Sequence, residues 1–123
     1  MKTLHFSIKP AFPLIDGGCI AIKSVLKSLI NHPDVECTHF TLSTPKHLFY
    51  EEAYPKSWSE RIKIENCFIN TKTNLLDAII HLLANKSYNI ERFNQKKIKQ
   101  KLKSLLSENA FDAVVLESVF LLP

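Results

Sequence analysis

Residues 4–30, LHFSIKPAFPLIDGGCIAIKSVLKSLI, decide the fold. The first five residues alternate apolar and polar side chains, which is typical of a β-strand over residues 4–8. Pro10 and Pro13 stiffen the next segment and prevent a helix before Asp16. Apolar side chains then recur at helical spacing, at Ile22, Val25, Leu26, Leu29 and Ile30. The stretch therefore predicts a strand, a stiff loop and a helix.

Gly17 and Gly18, the only glycines in the chain, stand at the start of this helix. Glycines there let a ligand approach the backbone, and the free N–H groups and positive end of the helix dipole suit an anion such as a diphosphate. The alternative is an ordinary tight turn before a helix, since glycine commonly marks turns. Asp16 has two interpretations as well: it orients a ligand hydroxyl, or it caps the helix.

The rest of the chain alternates predicted strands with predicted helices. Further strands are predicted at residues 35–42, in an extended region over residues 62–64 and 67–69 that ends in a strand at residues 67–70, and at residues 113–116. The last is a continuous apolar run, which suits a strand covered on both faces. Helices are predicted after residue 73 and over residues 95–108, and the first of them is apolar nearly all round, so it is either well buried or faces a partner. This order predicts an α/β fold: a Rossmann-like three-layer sandwich with a mostly parallel sheet, forming one domain over residues 1–123.

Composition excludes several classes of protein. A hydrophobic content of 46% and a charged content of 23% are those of a globular domain, and no apolar run is long enough to span a membrane. Three widely spaced cysteines without metal-ligand spacing predict reduced thiols, a cytoplasmic location and no metal site. The net charge of +4 comes largely from lysines of the helix over residues 95–108, which we interpret as its solvated face. Nucleic acid is not an expected partner, because aromatic residues do not interleave with these lysines.

Ligands of parallel sheets bind beside the carboxyl ends of the strands. The loops predicted to share this edge comprise residues 9–18, 43–47, 70–74 and 117–118. Thr44 and Glu117 are therefore candidate ligand contacts, although Glu117 has the alternative of a surface carboxylate or helix cap. Arg92 is a candidate for holding an anionic acceptor, with an ordinary surface salt bridge as its alternative. His5 and His39 lie in strands and are predicted to be buried or hydrogen-bonded rather than catalytic.

Three segments carry a resemblance to a known family. K-P-A-F-P-L-I-D-G-G at residues 9–18, Y-N-I-E-R-F at residues 88–93 and F-D-A-V-V-L-E-S at residues 111–118 resemble the N-terminal domain of bacterial group 1 glycosyltransferases. These are retaining enzymes of the two-domain GT-B type. The resemblance implies that this domain binds mainly the acceptor. It also implies that Gly17 and Gly18, with Asp16 beside them, form the glycine loop facing the donor diphosphate and the acceptor.

The resemblance also implies an activity and its partners. The expected activity is that of a hexosyltransferase that moves a sugar from a nucleotide-diphosphate sugar to a polysaccharide or a lipid-linked acceptor, with no further cofactor. In such enzymes the catalytic residues and the E-x7-E motif are expected in a C-terminal domain. The apolar end at Pro123 suggests that this chain is a piece of a longer protein, and we expect the piece to be inactive alone. Contact with the inner face of the membrane and dimerisation of the piece are further expectations.

The alternative function is a non-catalytic Rossmann-like domain for ligand binding or protein interaction. A receiver-like module is one example, but it requires an acidic cluster after the first strand, where this chain has Lys9 and Pro10. A dinucleotide-binding domain is disfavoured as well, because the glycine pair does not have the G-x-G-x-x-G spacing.

Overall fold

The computed structural model of the chain describes residues 1–71, 76, 79–80, 83 and 93–121. The strands and helices alternate along these residues, as the sequence predicts. In chain order they are β1 (Lys2–Ser7), α1 (Gly17–Asn31), β2 (Glu36–Ser43), a 3-10 turn (Glu51–Ala53), α2 (Lys56–Ser59), β3 (Ile62–Phe68), α3 (Lys96–Glu108), β4 (Ala113–Leu116) and a second 3-10 turn (Val119–Leu121).

The four strands form one parallel sheet in the order β3-β2-β1-β4. β1 lies inside the sheet, with Phe6 opposite Phe40 of β2 on one side and Leu116 of β4 on the other. The chain adds β2 and β3 on one side of β1 and then crosses to the other side for β4. The strand order therefore reverses between β1 and β4, and all strands present their carboxyl ends at the same edge.

Helices cover the two faces of the sheet, so the fold is the predicted Rossmann-like three-layer α/β sandwich. Ile98 and Leu105 of α3 pack on one face, against an apolar cluster that includes Leu4, Phe6 and Phe40. Ile22 and Leu26 of α1 pack on the opposite face, within a second cluster whose members also include Cys37, Tyr54 and Ile62. Both helices have the apolar stripe of helical period that the sequence shows.

The face of the sheet under α1 is unusually polar. On this face, β1 and β2 bury five polar side chains fully or almost fully: Thr3, His5, Ser7, His39 and Thr41. Alternation along each strand directs these side chains away from the apolar α3 face. One sheet thus carries an apolar core on one side and a polar layer on the other.

Two strands depart from the sequence prediction. β3 runs without a break from Ile62 to Phe68, whereas the prediction divided this extended region into residues 62–64 and 67–69 and placed its strand at residues 67–70. The strand is continuous because all seven of its residues pair with β2. The prediction that β4 is covered on both faces is wrong. Val114 is 50% exposed and Leu116 is 39% exposed, because β4 is an edge strand with a neighbouring strand on one side only.

The helix predicted after residue 73 falls largely outside the described residues. Its described members are helical and exposed, at Leu76, Ile79, Ile80 and Leu83, so the option that this stripe is well buried is wrong. Within the described part of the chain, no helix has the length and apolar character that a membrane span requires.

The polar layer contains one hydroxyl group that has no partner within the described residues. Thr3 Oγ1 is buried and has no hydrogen bond there, whereas Thr41 Oγ1 bonds with Ser7 Oγ at 3.0 Å and with the Leu42 carbonyl at 3.2 Å. A buried hydroxyl without a partner destabilises the folded state, because it has lost its bonds to water.

We expect Thr3→Val to raise the free energy of unfolding by about 1 kcal/mol, since valine has nearly the same shape and needs no partner. The matched change Thr41→Val should lower it by about 1 kcal/mol, because it breaks existing hydrogen bonds. Urea unfolding followed by circular dichroism measures both values. A destabilised Thr3→Val variant would show that the Thr3 hydroxyl has a partner, such as water.

Candidate functional site

A pocket opens at the carboxyl edge of the sheet. Its volume is about 380 Å³, and its walls come from segments that follow β1, β2 and β3, together with one residue before α3: Ile8, Lys9, Thr44, Pro45, Lys46, His47, Thr71 and Phe93. Three of the four loops that the sequence assigned to this edge thus contribute to one pocket. A concave site at the strand ends is where sheets of this class hold ligands.

A charged cluster joins the pocket to the start of α1. Lys9 Nζ lies 2.8 Å from each carboxylate oxygen of Asp16, and His47 Nε2 donates to Asp16 Oδ2 at 2.9 Å. Asp16 also accepts a hydrogen bond from the Cys19 amide at 3.0 Å and is the N-cap of α1. Of its two interpretations, capping is therefore confirmed. The same carboxylate connects the loops that follow β1 and β2.

The three hydrogen-bond partners of Asp16 control its charge. The Lys9 ammonium, then the Cys19 amide, then His47 hold the pKa of the Asp16 carboxyl well below its usual range. Asp16 is therefore ionised at neutral pH. About a third of its side chain is exposed, so water screens the ion pair and limits its contribution to stability.

The glycine pair has two different surroundings. A side chain at Gly17 would meet no atom within 4 Å, so this corner is open to a ligand. A Cβ at Gly18 would clash with the end of the Lys9 side chain. Glycine at this position therefore leaves space for Lys9 to reach Asp16. Neither amide has a hydrogen-bond acceptor among the residues described, and both remain available at the positive end of α1.

The charges at this corner favour an anion over a metal ion. Asp16, Cys19 and His47 each place one possible ligand atom within 4.8 Å of the others, an arrangement that the sequence prediction did not foresee. A cation there would compete with the Lys9 ammonium for Asp16 and would face the positive end of α1. Lys46 adds a second positive group to the pocket wall and has no ion-pair partner in the described part of the chain.

The other predicted contacts have separate outcomes. Thr44 lines the pocket, but it is only 6% exposed, and its hydroxyl accepts from the His47 amide at 3.2 Å. Arg92 lies outside the described residues. Glu117 follows β4 and is not part of the pocket wall, because β4 lies on the other side of β1 from β2 and β3.

The polar layer beneath α1 connects Glu117 with both strand histidines. Glu117 Oε1 lies 2.8 Å from His5 Nε2, and His5 Nδ1 lies 2.9 Å from His39 Nδ1. Tyr54 Oη is 3.5 Å from His39 Nε2 and accepts from the Ala11 amide at 3.1 Å. Both histidines are completely buried, which confirms their predicted placement.

Burial dominates the ionisation of this layer. It lowers the pKa of His5, although the hydrogen bond to Glu117 opposes the shift, and it lowers the pKa of His39 to about 3, assisted by His5. Burial also raises the pKa of Tyr54 to about 12. Both imidazoles and the phenol are therefore neutral at pH 7.

Sequence reasoning missed His47 and Tyr54 as members of these clusters. His47 is 31 residues from Asp16, and Tyr54 lies in an irregular segment that no periodic pattern places. The available signal for His47 was its place in the loop over residues 43–47, which the sequence assigned to the carboxyl edge of the sheet.

Together, the fold and the site define a Rossmann-like α/β domain with a positively charged pocket at the carboxyl edge of its sheet. In comparisons with known proteins, no family model, no curated protein and no solved structure matches the chain.

The cap and the ion pair of Asp16 can be separated by substitution. Asp16→Ala should lower the free energy of unfolding by about 1 kcal/mol, because the Cys19 amide loses its acceptor. Asp16→Asn should cost clearly less, because its amide oxygen still accepts from Cys19. Urea unfolding of both variants at pH 7 measures the difference. Equal losses would contradict this assignment and would show that the ion pair with Lys9 dominates.

The buried histidines predict a loss of stability in mild acid. His39 has a folded pKa of about 3 against an unfolded value of 6.5, so below pH 6.5 only the unfolded chain binds the proton. The histidine contribution is fully present above pH 6.5 and is lost as the pH falls toward 3. The free energy of unfolding should therefore fall between pH 6.5 and 5 by up to about 1.4 kcal/mol per pH unit for each buried histidine.

Urea midpoints at pH 7.5, 6 and 5 measure this slope, and this range lies above the normal titration of carboxylates. His39→Gln should reduce the slope, whereas His32→Gln, which changes an exposed histidine after α1, should leave it unchanged. A stability that does not change over this range would mean that the buried imidazoles are protonated in the folded chain.

Proposed function

We propose that this chain is the acceptor-side domain of a retaining, two-domain glycosyltransferase that transfers a sugar from a nucleotide-diphosphate sugar to a polysaccharide or lipid-linked acceptor. The observation that carries the proposal is the pocket of about 380 Å³ at the carboxyl edge of a parallel sheet. Its wall residues Lys9 and His47 bond with Asp16, which caps the helix that begins at Gly17 and Gly18. The three sequence segments that resemble group 1 glycosyltransferases support it, and two of them lie at this edge, around Asp16 and Glu117.

The charge of the pocket supports the diphosphate part of the proposal. Lys46 supplies an ammonium group that forms no ion pair with any described residue, and the amides of Gly17 and Gly18 supply donors at the positive end of α1. Departure of a nucleoside diphosphate builds negative charge on its phosphates, and fixed donors stabilise that charge without reorganising. Lys9 acts differently, since its ammonium is already bound to Asp16 and holds the loop in place.

The acceptor part of the proposal relies on the polar groups at this edge. Asp16 connects the loops after β1 and β2, so the pocket wall is held in one arrangement before a ligand arrives. Preorganised walls reduce the entropy that binding costs. The residues that carry the chemical step belong, in this proposal, to a donor-binding domain that pairs with this one across the edge.

We expect nucleotide sugars to bind this edge detectably. Titration of the ¹⁵N-labelled chain with UDP-glucose, GDP-mannose, methyl glycosides of common hexoses and NAD⁺ should shift the amide signals of Gly17, Gly18 and His47 with the sugar ligands. Lys46→Ala should weaken the affinity for nucleotide sugars about fivefold, the effect of losing one partly exposed charge. Lys99→Ala removes the same charge from the exposed side of α3 and should have no effect.

Three outcomes would overturn the proposed function. They are tighter binding of NAD⁺ than of any sugar ligand, no binding of any nucleotide sugar or glycoside, and equal losses in the Lys46 and Lys99 variants. The alternative of a non-catalytic ligand-binding domain would then stand in its place.

A further inference from the structure

The strongest unassigned feature is the buried hydrogen-bond chain that links Tyr54, His39, His5 and Glu117. It crosses the sheet beneath α1, from the loop around Ala11 to the carboxyl end of β4. Its links measure 3.5 Å, 2.9 Å and 2.8 Å, and they shorten toward Glu117. The proposed pocket does not use this chain, because none of its four residues lines that pocket.

The chemistry of the four groups gives the chain one direction. An ionised Glu117 has no proton, so it must accept from His5 Nε2–H. A neutral His5 then has a bare Nδ1, which accepts from His39 Nδ1–H. The bare Nε2 of His39 faces the Tyr54 hydroxyl, whose oxygen already accepts from the Ala11 amide and whose proton can point to His39. Every donor thus points toward Glu117, and no two donors face each other.

Packing alone does not account for this layer. The opposite face of the same two strands is filled by Leu4, Phe6, Phe40 and Leu42, all buried. Apolar residues can therefore fill this sheet, and two completely buried imidazoles are costly unless each nitrogen is hydrogen-bonded. In the hydrogen-bond chain every imidazole nitrogen has a partner, and Glu117 provides the partner of His5 Nε2.

The position of Glu117 connects the buried chain with the ligand-binding edge. Its amide donates to the Phe6 carbonyl at 3.0 Å, which places it directly beyond β4 and beside the end of β1. This is where the strand order reverses, the usual ligand position in sheets of this class. Its side chain retains 15% exposure and only Oε1 bonds with His5. Among the residues that the structure describes, Oε2 has no hydrogen-bond partner and can accept from a ligand.

We propose that Glu117 binds hydroxyl groups of a carbohydrate at the β1–β4 end of the edge, and that Tyr54, His39 and His5 are positioning residues that hold its carboxylate in place. The carbohydrate assignment rests on the proposed function, whereas the positioning role rests on the hydrogen-bond chain. A carboxylate oxygen that accepts from sugar hydroxyls provides charge-assisted hydrogen bonds, which are stronger than neutral ones.

His39 offers a sharp test, because it is completely buried and does not contact a ligand. His39→Leu interrupts the hydrogen-bond chain between Tyr54 and His5. Tyr54→Phe removes only a hydroxyl group and replaces the first variant in the test if that variant does not fold. Glu117→Gln keeps the shape of the side chain but removes its charge. Thr3→Val is the matched control, since Thr3 is buried on the same face of β1 and takes no part in the chain.

Two readouts are needed. Long-range ¹H–¹⁵N spectra of the histidine rings should show His5 protonated on Nε2 and His39 on Nδ1 in the wild-type and Thr3→Val chains, with the His5 preference reduced in Glu117→Gln. Titration with methyl glycosides of glucose, mannose and galactose should show affinity reduced at least about tenfold in Glu117→Gln. The reduction should be about threefold in His39→Leu and in Tyr54→Phe, and absent in Thr3→Val.

The outcomes distinguish this inference from the proposed function. If the wild-type chain binds glycosides and the His39, Tyr54 and Glu117 variants bind them equally well, the positioning role is wrong while the proposed function stands. Opposite ring tautomers in the wild-type chain would also overturn it. If the tautomers agree but the wild-type chain binds neither glycosides nor nucleotide sugars, the proposed function is wrong, and the carbohydrate assignment of Glu117 is overturned with it.

Discussion

Parallel pairing of β1 with both β2 and β4 is the constraint on which the rest of the structure depends. Because all four strands run the same way, the segments after them meet at one edge. The crossing of the chain from β3 to β4 then divides this edge into two parts. The pocket lies above β1, β2 and β3, and Glu117 lies at the reversal between β1 and β4.

The two faces of the sheet bury side chains of different polarity. Under α3 the strands bury apolar side chains, which gain free energy roughly in proportion to the area removed from water. Under α1 the strands bury hydroxyl groups and imidazoles, which gain little from burial and must find hydrogen-bond partners. The histidines find theirs in a hydrogen-bond chain that ends at Glu117, so this carboxylate couples the buried layer to the carboxyl edge of the sheet.

The same coupling appears at the start of α1. Asp16 caps the helix, holds Lys9 and binds His47, so one carboxylate serves helix stability and loop position together. Gly18 permits this arrangement by leaving space for the Lys9 side chain, while Gly17 leaves the corner open. The two adjacent glycines thus have different roles, which the sequence alone does not distinguish.

Local patterns were sufficient for much of the fold. The period of the apolar residues predicted α1 and α3, and a continuous apolar run predicted the strand at residues 113–116, because helix and strand geometry act over a few neighbouring residues. The alternation of strands and helices predicted the parallel sheet and therefore the ligand-binding edge. The length of β3 and the exposure of Val114 could not be predicted, since strand pairing and the cover of a sheet face depend on distant segments.

The sequence by itself thus determined the positions of most helices and strands and the parallel sheet whose carboxyl edge gathers the loops. Only the tertiary structure decided which polar groups meet there. His47 reaches Asp16 across 31 residues, and Glu117 reaches His5 across 112 residues. No local pattern encodes such contacts, because they follow from the order of the strands in the sheet, and that order is set by the packing of the whole domain.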